Sequence, residues 1–260
     1  MTTLTVRRIQ PARLPRSEAM SVLDRVIDLD AKIFRYRSAE GQARYYQGLR
    51  QLEDGEKIVI LYEQNGVPVG FNLVRLDVFE LDGKRLCAVG SNAGFLPGYR
   101  GGSRTFPDAI AAVLPYRLRW PGLSMWFVSA VVHPNAYALL ADTCPEVFPS
   151  VGRPAPRADE ARVLLAALAR WNLPVEGNDP SRLRAPVCTV IDAAQPPGDS
   201  PHARFFLERV PDFAEGVALA VCAPITLRTL ATGALRQARR RLASAGGLRR
   251  PASPEGRATP

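Results

Sequence analysis

The sequence predicts a mixed α/β fold in which a central, mixed but mostly antiparallel sheet is flanked by helices and followed by a C-terminal extension. Three observations predict it. The run "KIVILYEQNGVPVGFNLVRLDVFELDGKRLCAVGSNAGFL" holds three β-rich segments punctuated by Asn65-Gly66 and Asp82-Gly83, and each dipeptide is a two-residue hairpin signal. "LSMWFVSAVV", Leu123 to Val132, is a solidly apolar strand, as expected of one buried on both faces. Helical periodicity precedes and follows these strands, so the sheet needs helices on both sides.

The elements follow in order. After an N-terminal arm, residues 1–19, "SVLDRVIDLDAKIF" sets Val22, Val26, Leu29 and Ile33 on one helical face. "SAEGQARYYQGLRQLE" reads as a second helix with Ser38 as its N-cap. Beyond the hairpins, "FPDAIAAVLPYRLRW" begins with a short helix, and "HPNAYALLADTCPEVFPS" is another that ends near Cys144-Pro145. "ADEARVLLAALARW" is amphipathic and carries Asp159 and Glu160 in its first turn, where they complement the helix dipole. "APVCTVID" and "GVALAVCAP" are further strand candidates. A basic amphipathic helix spans residues 226–245, and residues 246–260, rich in Gly, Pro and Arg without periodicity, are expected to be disordered. The main domain is thus placed at residues 20–225.

Composition bounds the function. The 260 residues can bury a sizeable core, and the apolar fraction of 47% is that of a globular protein. Net charge is +9, and every basic residue except Lys32, Lys57 and Lys84 is arginine. Guanidinium groups are planar bidentate donors, so anionic partners are favoured: phosphorylated cofactors, acidic carrier proteins, nucleic acid or an anionic membrane. Cys87, Cys144, Cys188 and Cys222 are scattered without a CxxC pair, and the chain has two histidines, so neither a zinc site nor a disulfide framework is expected. No apolar core follows the charges of the first residues and no apolar run is long enough to span a bilayer, which leaves a cytoplasmic location as the expectation.

The segment with the most chemical content is "FLPGYRGGSRT", Phe95 to Thr105, between a strand and a helix. A helix N-terminus exposes backbone N–H groups and a partial positive charge. Gly101 and Gly102 let a phosphate approach those amides without a Cβ in the way, and Arg100 and Arg104 add charge-assisted hydrogen bonds. The plainer alternative is a glycine turn with solvated arginines.

This segment resembles motif A of the GNAT (Gcn5-related) N-acyltransferase superfamily, in which an apolar residue stands two before a proline and Arg-Gly-x-Gly-x-Gly/Ala then opens a helix. Phe95 and Pro97 take the first two places, Arg100 and Gly101 the Arg-Gly places, and Ser103 and Thr105 stand where the family has small residues. "FVSAVVHPNAYALLADTCPEVF" resembles motif B, with Asn135 and Ala138 in the Asn-x-x-Ala places. The matched region runs from about Ile58 to Phe148. The resemblance implies a GNAT-like sheet and transfer of an acyl group, acetyl by default, from CoA to an amine. It implies that amides from Gly101 to Thr105 cradle the pyrophosphate of acetyl-CoA or a longer acyl-CoA, and that Phe95 and Leu96 pair their backbone with the pantetheine arm. Two places depart from the pattern: Ser103 and Thr105 are bulkier than glycine, and Asp142 stands where the family often has a tyrosine acid.

Acyl transfer to an amine needs a proton acceptor, and no carboxylate lies between Arg85 and Pro97. His133, at the end of the apolar strand, is the candidate base, against a structural histidine as the alternative. Tyr137 is the candidate acid, against a core aromatic, and Asn135 completes the candidate catalytic group. Asp77 and Glu80 could hold a cationic acceptor or be solvated hairpin carboxylates. Tyr45 and Tyr46 could line an acceptor pocket or fill a core. The basic C-terminal helix, with Arg236, Arg239, Arg240 and Arg241 beside Leu227, Leu230, Leu235 and Leu242, suits an anionic membrane surface or acyl carrier protein, or is a solvated helix end. A lipid-like or small amine acceptor is expected, a GNAT-like binding module without turnover is the competing reading, and no nucleic-acid-binding motif is visible.

Overall fold

The structure, a computed structural model, describes residues 4–53, 55–100, 105–177, 179–190 and 198–246. The expected tail falls outside them except for Gly246. Where a loose N-terminal arm is expected, the chain instead forms an edge strand, β1 (Thr5–Ile9), in antiparallel register from Thr5↔Glu63 to Ile9↔Val59. Its exposed Arg7 and Arg8 keep that edge polar. Helix α1 (Arg16–Ile33) starts inside the expected arm and buries Leu23, Val26, Leu29 and Ile33, together with one carboxylate, Asp30. A short strand β2 (Phe34–Tyr36) leads to α2 (Ala39–Arg50), where the Ser38 hydroxyl accepts the Gly41 N–H at 3.0 Å as the predicted N-cap.

Strands β3 (Glu56–Gln64), β4 (Val67–Leu81) and β5 (Lys84–Phe95) form the predicted meander. Both hairpin turns carry positive φ at two successive residues, 51° and 78° at Asn65-Gly66 and 51° and 71° at Asp82-Gly83, the backbone that a type I′ turn requires. Helix α3 (Thr105–Arg119) runs on through Pro115, further than the short helix expected. Strand β6 (Ser124–Val131) and helix α4 (Pro134–Thr143) match the prediction, as does α5 (Ala158–Arg170). The remaining elements are β7 (Arg182–Arg184), β8 (Val187–Val190), α6 (Pro201–Arg209), β9 (Val217–Pro224) and α7 (Leu227–Gly246).

The sheet order is β1-β3-β4-β5-β6-β9-β7, and a two-stranded sheet pairs β2 with β8. Among the described residues of the large sheet, β5 and β6 are the one parallel pair, and the others are antiparallel. The mixed, mostly antiparallel sheet flanked by helices that the motifs implied is therefore present. One face packs on α1, α2 and α5, through Phe71, Leu73, Val163 and Leu168, and the other on α3, α4 and α6, through Val89, Val113, Tyr137 and Phe206. Helix α7 lies against this second face. Its Gly233 passes so close that a Cβ there would stand 3.3 Å from the Phe106 ring and 3.4 Å from the Thr143 carbonyl. Leu230 joins the core, whereas Leu235 and Leu242 are 54% and 73% exposed, so one side of the basic helix packs and the other faces outward.

Candidate functional site

Among the described residues, the strand that runs into the glycine-rich segment is paired along its whole length on one side and only over its first half on the other. Ladder pairing between β5 and β6 runs from Leu86↔Ser124 to Val89↔Phe127, yet β5 continues on β4 to Phe95 and β6 continues on β9 to Val131. The two strands part beyond Val89. The Leu96 N–H donates to Val69 O on β4 at 2.9 Å, and backbone direction alternates along a strand. Ser91, Ala93 and Phe95 therefore turn their N–H and C=O groups toward the opening. Two contacts agree: the Ser129 hydroxyl donates to Ser91 O at 3.4 Å, and Arg100 Nε donates to Phe95 O at 3.0 Å. The expected pairing of Leu96 with a pantetheine arm meets a conflict here, because its N–H is already engaged within the sheet.

At the closed side of this opening stands the first turn of α3. Asn72, fully buried, donates from Nδ2 to Thr105 O at 3.0 Å and accepts from the Ser91 hydroxyl at 2.8 Å. The Tyr62 hydroxyl donates to Asp108 Oδ2 at 2.9 Å, and the Phe95 ring lies 4.7 Å from the Tyr62 ring. These ties fix the first turn of the helix, from Thr105, against β3, β4 and β5. Gly101, Gly102, Ser103 and Arg104 lie outside the described residues, so of the predicted phosphate loop the structure places Phe95, Leu96, Arg100 and Thr105.

Motif B comes to the same place with different chemistry from that expected. His133 precedes α4 and its Nδ1 accepts the Asn135 N–H at 3.2 Å, capping the helix. Burial first, and the Arg100 charge second, hold its imidazole below the ordinary histidine value. The Nδ1 lone pair is engaged by the Asn135 N–H, an arrangement that fits the structural-histidine alternative better than the general base that the sequence suggests. Asn135 Oδ1 accepts the Gly198 N–H at 2.7 Å, tying down the segment that enters α6. Tyr137 is fully buried, packs on Phe205 and Phe206, and donates to Pro149 O at 2.8 Å, with its phenol pushed up by burial. It is a core residue and not the proton donor expected. Tyr137→Phe should lower stability by about 1–2 kcal/mol, through loss of a buried hydrogen bond, and leave turnover within twofold. Denaturant titration beside a rate assay checks this, and a large rate loss at unchanged stability would restore the catalytic role.

The opposite face of β5 carries a polar cluster that sequence reasoning missed. Asp30 is fully buried and accepts from the Tyr36 hydroxyl, from Tyr46 OH at 3.1 Å and from Asn92 Nδ2 at 3.1 Å. Asn92 Nδ2 also donates to Tyr45 OH at 2.6 Å. Burial raises the Asp30 carboxyl above its usual value, and the hydrogen bonds from Tyr36, Asn92 and Tyr46 act against that rise. The signal in the sequence was the interruption "GSNAG" in an otherwise apolar strand, with small and amide residues where β-branched ones would pack. Asp77 is buried under Arg170, at 3.2 Å, and Trp171 Nε1, at 3.2 Å, so it serves the fold and is not a solvated hairpin carboxylate. Burial pushes the Cys87 and Cys222 thiols up to about 12, which leaves them unreactive.

No protein-family model and no curated protein matches the sequence. Solved structures similar to the chain include a GNAT-family N-acetyltransferase (YhbS) from Escherichia coli in complex with CoA, at 15% identity over 53% of this chain and 67% of that chain, TM-score 0.38. NAA60 from Arabidopsis thaliana in complex with acetyl-CoA is 16% identical over 57% of this chain and 89% of that one, TM-score 0.37. A probable N-acyltransferase from Enterococcus faecalis V583 is 16% identical over 54% of this chain, TM-score 0.35, and the match spans 33% of that chain's length.

Proposed function

We propose that the protein is an acyl-CoA-dependent N-acyltransferase of the GNAT type, with acetyl as the default acyl group. The observation that carries the reading is the parting of β5 and β6 beyond Val89, directly before the arginine- and glycine-rich segment that enters α3. An unpaired strand edge suits an extended arm bearing amides, as pantetheine does, and the segment at its end suits a pyrophosphate. The gap between the strands lets a thioester held at that edge meet an acceptor from the α1–α2 face. In the reaction the amine nitrogen bonds to the thioester carbon, the C–S bond breaks, the nitrogen loses one proton and the departing thiolate gains one.

Arg100 extends its Nε to the Phe95 carbonyl and lies close enough to His133 to lower its basicity. The Arg100 cation thus borders the place where the anionic end of the donor would lie. Arg100→Ala should weaken acetyl-CoA binding by roughly 10- to 100-fold, the size of a charge-assisted hydrogen bond. Calorimetric titration checks it, and no acyl-CoA binding by the wild type would sink the reading. The engaged His133 lone pair and the buried Tyr137 favour a second reading, a binding module that holds acyl-CoA without turnover. Thiol release in the presence of amines separates the two. The exposed Leu235 and Leu242 beside Arg236 and Arg239 on α7 fit a long-chain variant working at an anionic membrane or on acyl carrier protein. A preference for long-chain over acetyl-CoA in the same titration would support it.

A further inference from the structure

The face of β5 opposite α3 presents glycine, asparagine and glycine at positions 90, 92 and 94. Gly90 lies beneath Trp171 and Gly94 beneath Ile33 and Phe34, so close that a Cβ on Gly94 would stand 2.7 Å from Ile33 Cγ2. Asn92 is therefore the one side chain on this face of the strand between the point where β6 departs and the start of motif A. It is half-buried, and both hydrogens of its amide are committed: one to the buried Asp30 carboxylate at 3.1 Å, the other to Tyr45 OH at 2.6 Å. The reverse amide orientation would set the Asn92 carbonyl against Asp30. A carboxylate carried by α1 thus dictates which end of Asn92 remains for a ligand, and it is the acceptor end, Oδ1.

A thioester lying along the Ser91–Phe95 edge is approached from this face, because α3 and its first turn close the other. A neutral primary amine attacks with its lone pair and keeps two N–H bonds to be oriented. From this geometry we infer that Asn92 Oδ1 receives an N–H of the acceptor amine and aims its lone pair into the gap between β5 and β6, with Asp30 as the positioning residue that holds the amide in that sense. The inference rests on the acyltransferase reading and supplies what that reading lacks once His133 and Tyr137 are assigned to the fold: a polar group on the acceptor side. Asp30 itself is sealed from solvent behind Tyr36 and Tyr46 and acts through Asn92.

The test uses the full chain, acetyl-CoA and a panel of primary amines comprising spermidine, lysine amide, tyramine and ethanolamine, with thiol release as the rate and calorimetry for donor binding. Asn92→Ala should lower kcat/KM for the best amine roughly 10- to 100-fold, as loss of nucleophile orientation does, and leave acetyl-CoA Kd within twofold. Asp30→Asn, which keeps the side-chain shape, should show a comparable loss. The double variant Asp30→Asn/Asn92→Ala should lose no more than Asn92→Ala alone, because one residue works through the other. Unchanged amine kinetics in Asn92→Ala, or an equal loss of acetyl-CoA affinity, would overturn the assignment, and multiplied losses in the double variant would overturn the positioning role of Asp30. Wild-type protein that binds acetyl-CoA but acylates no amine overturns this inference and leaves donor binding standing. Failure to bind acetyl-CoA overturns both.

Discussion

Arg153→Ala is expected to destabilise the protein by about 3–5 kcal/mol, the range for stranding one member of a buried ion pair. The Arg153 guanidinium pairs with Glu160, whose side chain is 1% exposed, and also donates to Glu146 O at 2.9 Å while lying 5.8 Å from the Phe148 ring centroid. Glu160 Oε2 in turn accepts the Arg157 N–H at 2.8 Å, which closes the start of α5. Removing the arginine leaves a carboxylate in a site that excludes water. Neutralising that carboxylate with Glu160→Gln in the Arg153→Ala background should recover part of the loss, since an amide oxygen can still accept from Arg157. Urea denaturation of the two variants and the wild type is the measurement. A loss below about 1 kcal/mol in the single variant, or no recovery in the double, would mean that the pair is solvated and contributes as a surface pair does.

Asn72→Leu should have the second largest effect, and it should appear in two quantities at once. Leucine has a similar volume, so the core stays filled, but the Thr105 carbonyl and the Ser91 hydroxyl lose their shared partner. Two polar groups left at a partly buried site imply a stability loss of about 1–3 kcal/mol. The start of α3 is also released from the strand that borders the opening, so acetyl-CoA affinity should fall by roughly tenfold, since loosening a preorganised site weakens binding even without touching the ligand. Asn72→Ala, measured alongside, leaves a cavity in addition and should be less stable than Asn72→Leu with the same binding defect. Acetyl-CoA affinity that survives intact in a folded Asn72→Leu protein would show that the helix start is held by other contacts.

Much of this architecture was readable from local chemistry. Asn65-Gly66 and Asp82-Gly83 declare their turns because few other residues adopt two successive positive φ values. Ser38 declares a helix start because its hydroxyl can satisfy a backbone donor that the helix cannot. The apolar spacing of α1, α5 and β6 follows from which faces must leave water. Strands β1, β2 and β7, by contrast, are three to five residues long, and β1 reads "TVRRI", with arginines where an apolar alternation would identify a strand. Such segments are strands because a neighbour far along the chain offers hydrogen bonds, and no local pattern encodes that neighbour.

The site divides along the same line. Phe95, Arg100 and Thr105 follow one another through a strand, a turn and a helix start, and that order is legible in the sequence. His133 and Tyr137 were correctly located beside the start of α4, but spacing carries no information on whether a lone pair is engaged or a hydroxyl buried. Asp30 and Asn92 are 62 residues apart and Asn72 and Thr105 are 33 apart. Each pair meets because the register of β4 on β5, and the packing of α1 and α3 on opposite faces, bring them within hydrogen-bonding distance. Hydrogen bonds between distant side chains form only after burial has removed competing water. The linear chain therefore set the turns, caps, helical faces and charge of this protein, while the pairing of its buried polar groups, and with it the character of its candidate site, arose from the way the sheet is assembled.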